Sequence, residues 1–128
     1  MLHQVTQGEL KQRNQKNGEN ARFLGAMCVV SIYQFWEVRF RNEVAAELGV
    51  SRQSLQHNLF GDIRLIRIAI LHHGGIAGKE IEKCTLLKWF KEGDEIRIDE
   101  DKMYDLIFKL RSVCDEWILQ RSVSTSNA

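Results

Sequence analysis

The 128-residue sequence predicts an all-α fold: an up-and-down helical bundle with a short β-like excursion before its last helix. Three observations predict it. Apolar residues recur three and four apart through three long stretches, the spacing of an amphipathic helix. There is no proline, where average usage would give roughly six, so nothing forces those stretches to break. Glycines stand where the stretches end, at Gly49 and at Gly74-Gly75, as helix C-caps want. A hydrophobic share of 44% with 27% charged residues fits one globular core.

Residues 1–19 read as a polar extension. Its patch Lys11-Gln12-Arg13-Asn14-Gln15-Lys16 is either a solvated segment or a basic arm for a nucleic acid or a partner. The domain proper spans 20–121, and residues 122–128 read as a disordered tail. Its first helix is expected over 20–48, with Asn20 as N-cap. Phe23, Met27, Val30 and Gln34 trace one line along it; Leu24, Cys28, Ser31, Phe35 and Val38 trace the neighbouring one. A face that broad belongs to a helix that is either central in the bundle or packed on two sides, and the second suits a homodimer.

Ser51 then reads as the cap of a second helix from about Arg52 to His73, with His57 in its middle and Leu55, Leu59, Ile63, Ile66 and Ile70 as its buried stripe. Residues 74–98 break the pattern. Ile76 to Cys84 is a loop or short helix, and Glu95 to Asp99 alternates with period two, as a short strand does. Asp99 is the N-cap candidate of the last helix, 100–120, with Glu100 and Asp101 in the first turn, where the helix dipole favours them.

Composition narrows the function classes. A formal net charge of +1 gives no global field toward nucleic acid, so any such site is local. Cys28, Cys84 and Cys114 are an odd set without CxxC spacing, which fits a reduced cytoplasmic interior better than a disulfide framework. No Cys/His cluster has metal-ligand spacing, and neither metal nor cofactor is expected. The polar N-terminus does not read as a signal peptide, and no apolar run approaches membrane-spanning length, so no membrane partner is expected.

Chemistry concentrates at the end of the second helix, where Arg67 and His72 stand five residues apart just before the glycines. An ideal helix separates them by about 140° around its axis. Arg presents a fixed fork of donors to a phosphate, and His is poised for proton transfer near neutral pH.

Arg67-Ile68-Ala69-Ile70-Leu71-His72, with Asp62-Ile63-Arg64 ahead of it and Trp36-Glu37-Val38-Arg39-Phe40-Arg41 on the preceding helix, resembles the HEPN family (higher eukaryotes and prokaryotes nucleotide-binding) over roughly residues 20 to 121. The resemblance implies a helical bundle whose motif helices meet across a homodimer. It implies a metal-independent endoribonuclease, a toxin or phage-defence effector that leaves 2′,3′-cyclic phosphate ends. His72, or His73 in its place, would do acid/base work, and Arg67 would stabilise phosphoryl charge. Asp62 and Arg64 would buttress the site or form surface ion pairs. Arg39 and Arg41 would touch the RNA, and an antitoxin or another protein could be a partner. Where nucleases of the family usually carry a polar residue after the motif arginine, this chain has Ile68. That departure favours a second reading, a non-catalytic module binding RNA, a nucleotide or a protein.

A third reading comes from residues 43–56, which resemble a DNA-binding helix-turn-helix: Ala45, Gly49 and Leu55 in the small, turn and buried positions, with Arg52 and Gln53 facing the major groove.

Overall fold

The computed structural model describes residues 7–8 and 19–126, without the side chains of residue 19 and residues 123–126. The Lys11–Lys16 patch and the last two residues of the tail lie outside the described residues.

Helix α1 (Glu19–Phe35), a π-helical turn (Trp36–Phe40) and α2 (Arg41–Leu48) run on as one rod, the first helix expected from the sequence. The described helix already contains Glu19, so Asn20 sits within its first turn and not at the N-cap. The π turn was not foreseen. Its wider ring, closed by the Arg41 N–H on the Trp36 carbonyl, rotates the helix and puts Trp36 in the core. Gly49, at φ 70°, ends the rod. Its N–H bonds to the Ala46 carbonyl and the Val50 N–H to that of Ala45, so the last carbonyls are satisfied.

The next helix is shorter than the apolar spacing predicts. Ser51 caps only a single 3-10 turn (Arg52–Ser54), and α3 spans Asn58–His72. The cause is tertiary. The Leu55 side chain is buried in the core while Arg41 Nε takes its carbonyl at 3.0 Å, and the backbone passes residues 55–57 extended. His57, expected in mid-helix, is instead the N-cap, its Nδ1 accepting from the Leu59 N–H at 3.1 Å. Gly74 and Gly75, at φ 62° and 80°, stop α3 as expected, with the Gly75 N–H on the Ala69 carbonyl.

Residues 73–99 cross the bundle. A 3-10 turn (Lys79–Lys83) occupies part of the region read as a loop or short helix. The β-like excursion is smaller than a strand: one antiparallel bridge, Ile76 with Glu95, flanked by the Ala77 N–H on the Asp94 carbonyl and the Ile96 N–H on that of Gly75. Asp99 then caps α4 (Glu100–Ser126) through the Lys102 N–H, as its place in the sequence predicts. The helix runs on through residues 122–126, which were expected as a disordered tail. Among the described residues no helix is long and apolar enough to cross a membrane.

Three rods therefore pack up, down and up. Tyr33 of α1 meets Arg67 of α3 and Arg22 approaches Gly75, so α1 and α3 are antiparallel. Trp117 of α4 stacks on Trp36, and Arg121 pairs with Glu47, so α4 returns parallel to the first rod. At the centre, Trp36 lies flat on Phe60 with ring centres 3.8 Å apart, and both stack on Trp117. Trp36 is spent on this core.

One close approach sets the packing of the crossing segment. A Cβ on Gly25 would collide with the Ile98 carbonyl oxygen and stand 3.0 Å from the Ile98 Cβ. In an unpacked helix Gly→Ala stabilises by about 1 kcal/mol. Here Gly25→Ala is expected to cost about 1–3 kcal/mol through overpacking. A denaturant titration reads the sign directly; an unchanged or higher midpoint would mean that Ile98 yields without cost.

Candidate functional site

The motif helix separates its chemistry by face. Arg67 turns inward toward α1, its guanidinium 5.2 Å from the centre of the Tyr33 ring. Its Nε is buried and has no hydrogen-bond partner among the described residues. His72 and His73, in the last turn and at the C-cap, are exposed. No hydrogen bond joins Arg67 to either histidine, as their angular separation on the helix leads one to expect. Ile68, beside Arg67 in the chain, is half-buried.

Tyr33 leads to a charged hub on the π turn. Burial and then the Glu37 charge push its phenol pKa up, while Arg64 and Arg67 pull it down. Glu37 accepts from Arg52 Nη2 at 2.5 Å and Arg41 Nη1 at 3.5 Å, and Arg52 also donates to the Glu37 carbonyl at 2.7 Å. Burial raises the Glu37 carboxyl, but the Arg52 and Arg41 contacts outweigh it, and its pKa is lowered. The hub therefore stitches the 49–57 connection to the first rod.

These contacts relocate several residues singled out in the sequence. Arg41 and Arg52 clamp the 49–57 connection to the first rod. Arg39 is exposed and pairs with Glu43 at 3.0 Å on its own helix, and Gln53 is exposed on the 3-10 turn. The recognition helix that a helix-turn-helix would start at Arg52 is absent, since α3 begins at Asn58.

Asp62 forms no surface ion pair: it is 3% exposed and the one buried charged residue among those described. Its carboxylate accepts from the Thr85 N–H (3.1 Å), the Leu86 N–H (2.7 Å) and the Leu87 N–H (2.8 Å). It thereby holds the crossing segment against α3. The neighbouring Cys84 thiol is pushed up to about 12 by burial and by the Asp62 charge, so it stays protonated at neutral pH.

Between the π turn, the start of α3 and the Lys83–Thr85 segment lies a cleft of about 630 Å³. It gathers Asp62, Arg64 and Arg41 from the residues predicted, together with Tyr33, and adds Glu37, His57 and Lys83, which sequence reasoning did not assign to a site. The helical spacing of Tyr33, Glu37 and Arg41 was the available signal: a polar line within an otherwise apolar face. Arg67 and the two histidines are not part of its lining. Among the described residues no group of three or more His, Cys, Asp or Glu side chains could hold a metal ion.

Comparison with family models, with curated proteins and with solved structures finds no match to this chain.

Two measurements test this geometry. Asp62→Ala should cost about 2–4 kcal/mol, because it strands buried N–H donors; a denaturation midpoint near that of the parent protein would show the segment is held otherwise. Because the Glu37 pKa is lowered, its contribution to stability is complete above the ordinary glutamate pKa and disappears as pH falls through the lowered value. Glu37→Gln should therefore be less stable at neutral pH and flatten the acid limb of stability against pH. Parallel curves would remove the hub from the folding energetics.

Proposed function

We propose that this chain is a HEPN-like protein that acts on RNA as a homodimer, with Arg67 and His72 as its working pair and His73 as the alternative to His72. The observation that carries the reading is the buried Arg67 Nε without a partner among the described residues. An unsatisfied buried donor costs about 1–3 kcal/mol, a cost a fold retains where an incoming group completes the bond. A phosphate oxygen would complete it once the half-buried side chain shifts outward, and the guanidinium would then stabilise charge growing on the phosphoryl group.

In this reading an imidazole takes the proton of the ribose 2′-hydroxyl. The oxygen attacks the adjacent phosphorus, the bond to the 5′-oxygen breaks, and an acid returns a proton to that oxygen. The products are a 2′,3′-cyclic phosphate and a 5′-hydroxyl. Two groups are needed, and an exposed His72 in each protomer supplies two. The surface supports the pairing. Phe23, Leu24, Phe35 and Val38 along the first rod are each more than half exposed. His72 lies at the level of the α1 stretch between Arg22 and Tyr33, which carries the first two of them. An apolar stripe matched to itself about a two-fold axis buries this surface and brings the two motif helices together. A toxin or defence role, with an antitoxin or other protein as partner, belongs to the same reading.

Ile68 favours a second reading, in which the same pair binds RNA, a nucleotide or a protein without cutting. An aliphatic side chain there offers no hydrogen bond to orient the site.

Incubation with mixed-sequence RNA in EDTA decides between them. Cleavage that survives chelation should fall about 10²–10⁴-fold in His72→Ala or in His73→Ala, and in Arg67→Ala. A Leu24→Glu/Phe35→Glu double variant should sediment as a monomer and lose activity with its interface. RNA that binds but stays intact would establish the non-catalytic reading; cleavage indifferent to every variant would sink the assignment of the pair.

A further inference from the structure

We infer that the cleft beside the π turn is a binding site for a phosphate group, held between Arg64 and Lys83 and admitted by the missing side chain of Gly61. It is a separate site from the Arg67–His72 pair and does not depend on the reading given to that pair.

The first argument is charge. The cleft is lined by two carboxylates, Glu37 and Asp62, and three cations, Arg41, Arg64 and Lys83. Both carboxylates are already answered. Glu37 has Arg41 and Arg52, and Asp62 has the backbone N–H groups of residues 85–87. Arg64 and Lys83 are left: exposed, lining the cleft, and engaged in no hydrogen bond or ion pair among the described residues. The Asp62 clamp holds the Lys83–Thr85 segment in place, so the two cations face one space from fixed walls. Two unanswered cations in a chain of formal net charge +1 are a local excess that an anion would balance. A forked guanidinium beside an ammonium is a donor set matched to phosphoryl oxygens.

The second argument is Gly61. It stands in the first turns of α3, where glycine weakens a helix by about 0.5–1 kcal/mol relative to alanine. The fold does not require it. Its φ is not left-handed, and a Cβ built on it meets nothing within 4 Å. Gly25, by contrast, is demanded by Ile98. Gly61 lines the cleft three residues before Arg64, so the two share a helix face. A backbone kept bare where the protein itself leaves room is explained by a ligand that approaches it closely. The volume, about 630 Å³, is that of a site for a small molecule or one unit of a chain.

A phosphate monoester and a phosphodiester unit of RNA carry the same group, and the test separates them. Amide NMR titrations of the full chain would use adenosine monophosphate, adenosine without phosphate, and a short RNA oligonucleotide. Saturable shifts at Gly61 and Thr85 with either phosphate-bearing probe, and none with adenosine, support the site. Stronger shifts with the monophosphate point to a free nucleotide, stronger shifts with the oligonucleotide to a strand. Arg64→Gln and Lys83→Gln should each weaken that binding about tenfold or more while leaving the melting temperature near that of the parent. Gly61→Ala should raise the melting temperature by about 2–5 °C and weaken binding. No saturable shift with any probe, equal shifts with adenosine, or undiminished binding in Gly61→Ala or in both cation variants would overturn the proposal. RNA cleavage by the Arg67–His72 pair is read separately and can fail or succeed without deciding this outcome.

Discussion

The carboxylate of Asp62 is the contact on which the shape of this molecule depends. It sits on the buried side of α3 and gathers three successive backbone N–H groups from a segment more than twenty residues away in the chain. A buried charge is tolerated only where hydrogen bonds replace the water it has lost. Here the donors come from a stretch with no regular structure of its own, so one side chain satisfies itself and orders the loop together. Leu87, next to those bonds, is fully buried, and Trp89 reaches Asp105 of α4 at 3.0 Å. The crossing segment is thereby tied to two helices, and the wall of the cleft that carries Lys83 is set by the same contact.

The π turn does comparable work on the first rod. An extra residue in the ring turns Trp36 into the aromatic stack while Glu37 and Arg41 face the 49–57 connection. A regular α-helix would carry the line through Phe35 and Val38 onward on one face. Instead those two side chains stay outside as part of an apolar stripe, and the core is filled from the other side. The wide apolar face read in the sequence is thus divided between the bundle core and an exposed surface, and that exposed surface supports the homodimer proposed above.

Much of the fold was legible because it obeys local rules. The rods, their glycine stops and the Asp99 cap follow from spacing, from the left-handed φ at Gly49, Gly74 and Gly75, and from an oxygen placed to accept the Lys102 N–H. The candidate site was legible only in part. Arg67 and His72 could be picked out by chemistry, but not that one turns inward onto Tyr33 while the other stays in solvent. Asp62 and Arg64 look alike on paper, as charges near the motif; one is buried under a loop and the other is an exposed cation at a cleft.

By itself, then, the sequence determined the helical class, the order of the rods, the glycine stops of the first two and the cap of the last, and where chemistry-bearing residues stand in the chain. Those properties arise from backbone preferences and side-chain periodicity within a few residues. The tertiary structure alone decided the late start of α3, the π turn and the roles of Asp62, Glu37, Arg41 and Arg52. Each depends on a partner far away in the chain: the Leu55 carbonyl held by Arg41, Phe60 and Trp117 against Trp36, the N–H groups of residues 85–87 against Asp62. A residue whose partner is distant carries no local mark of it, so its role becomes visible only when the chain has folded.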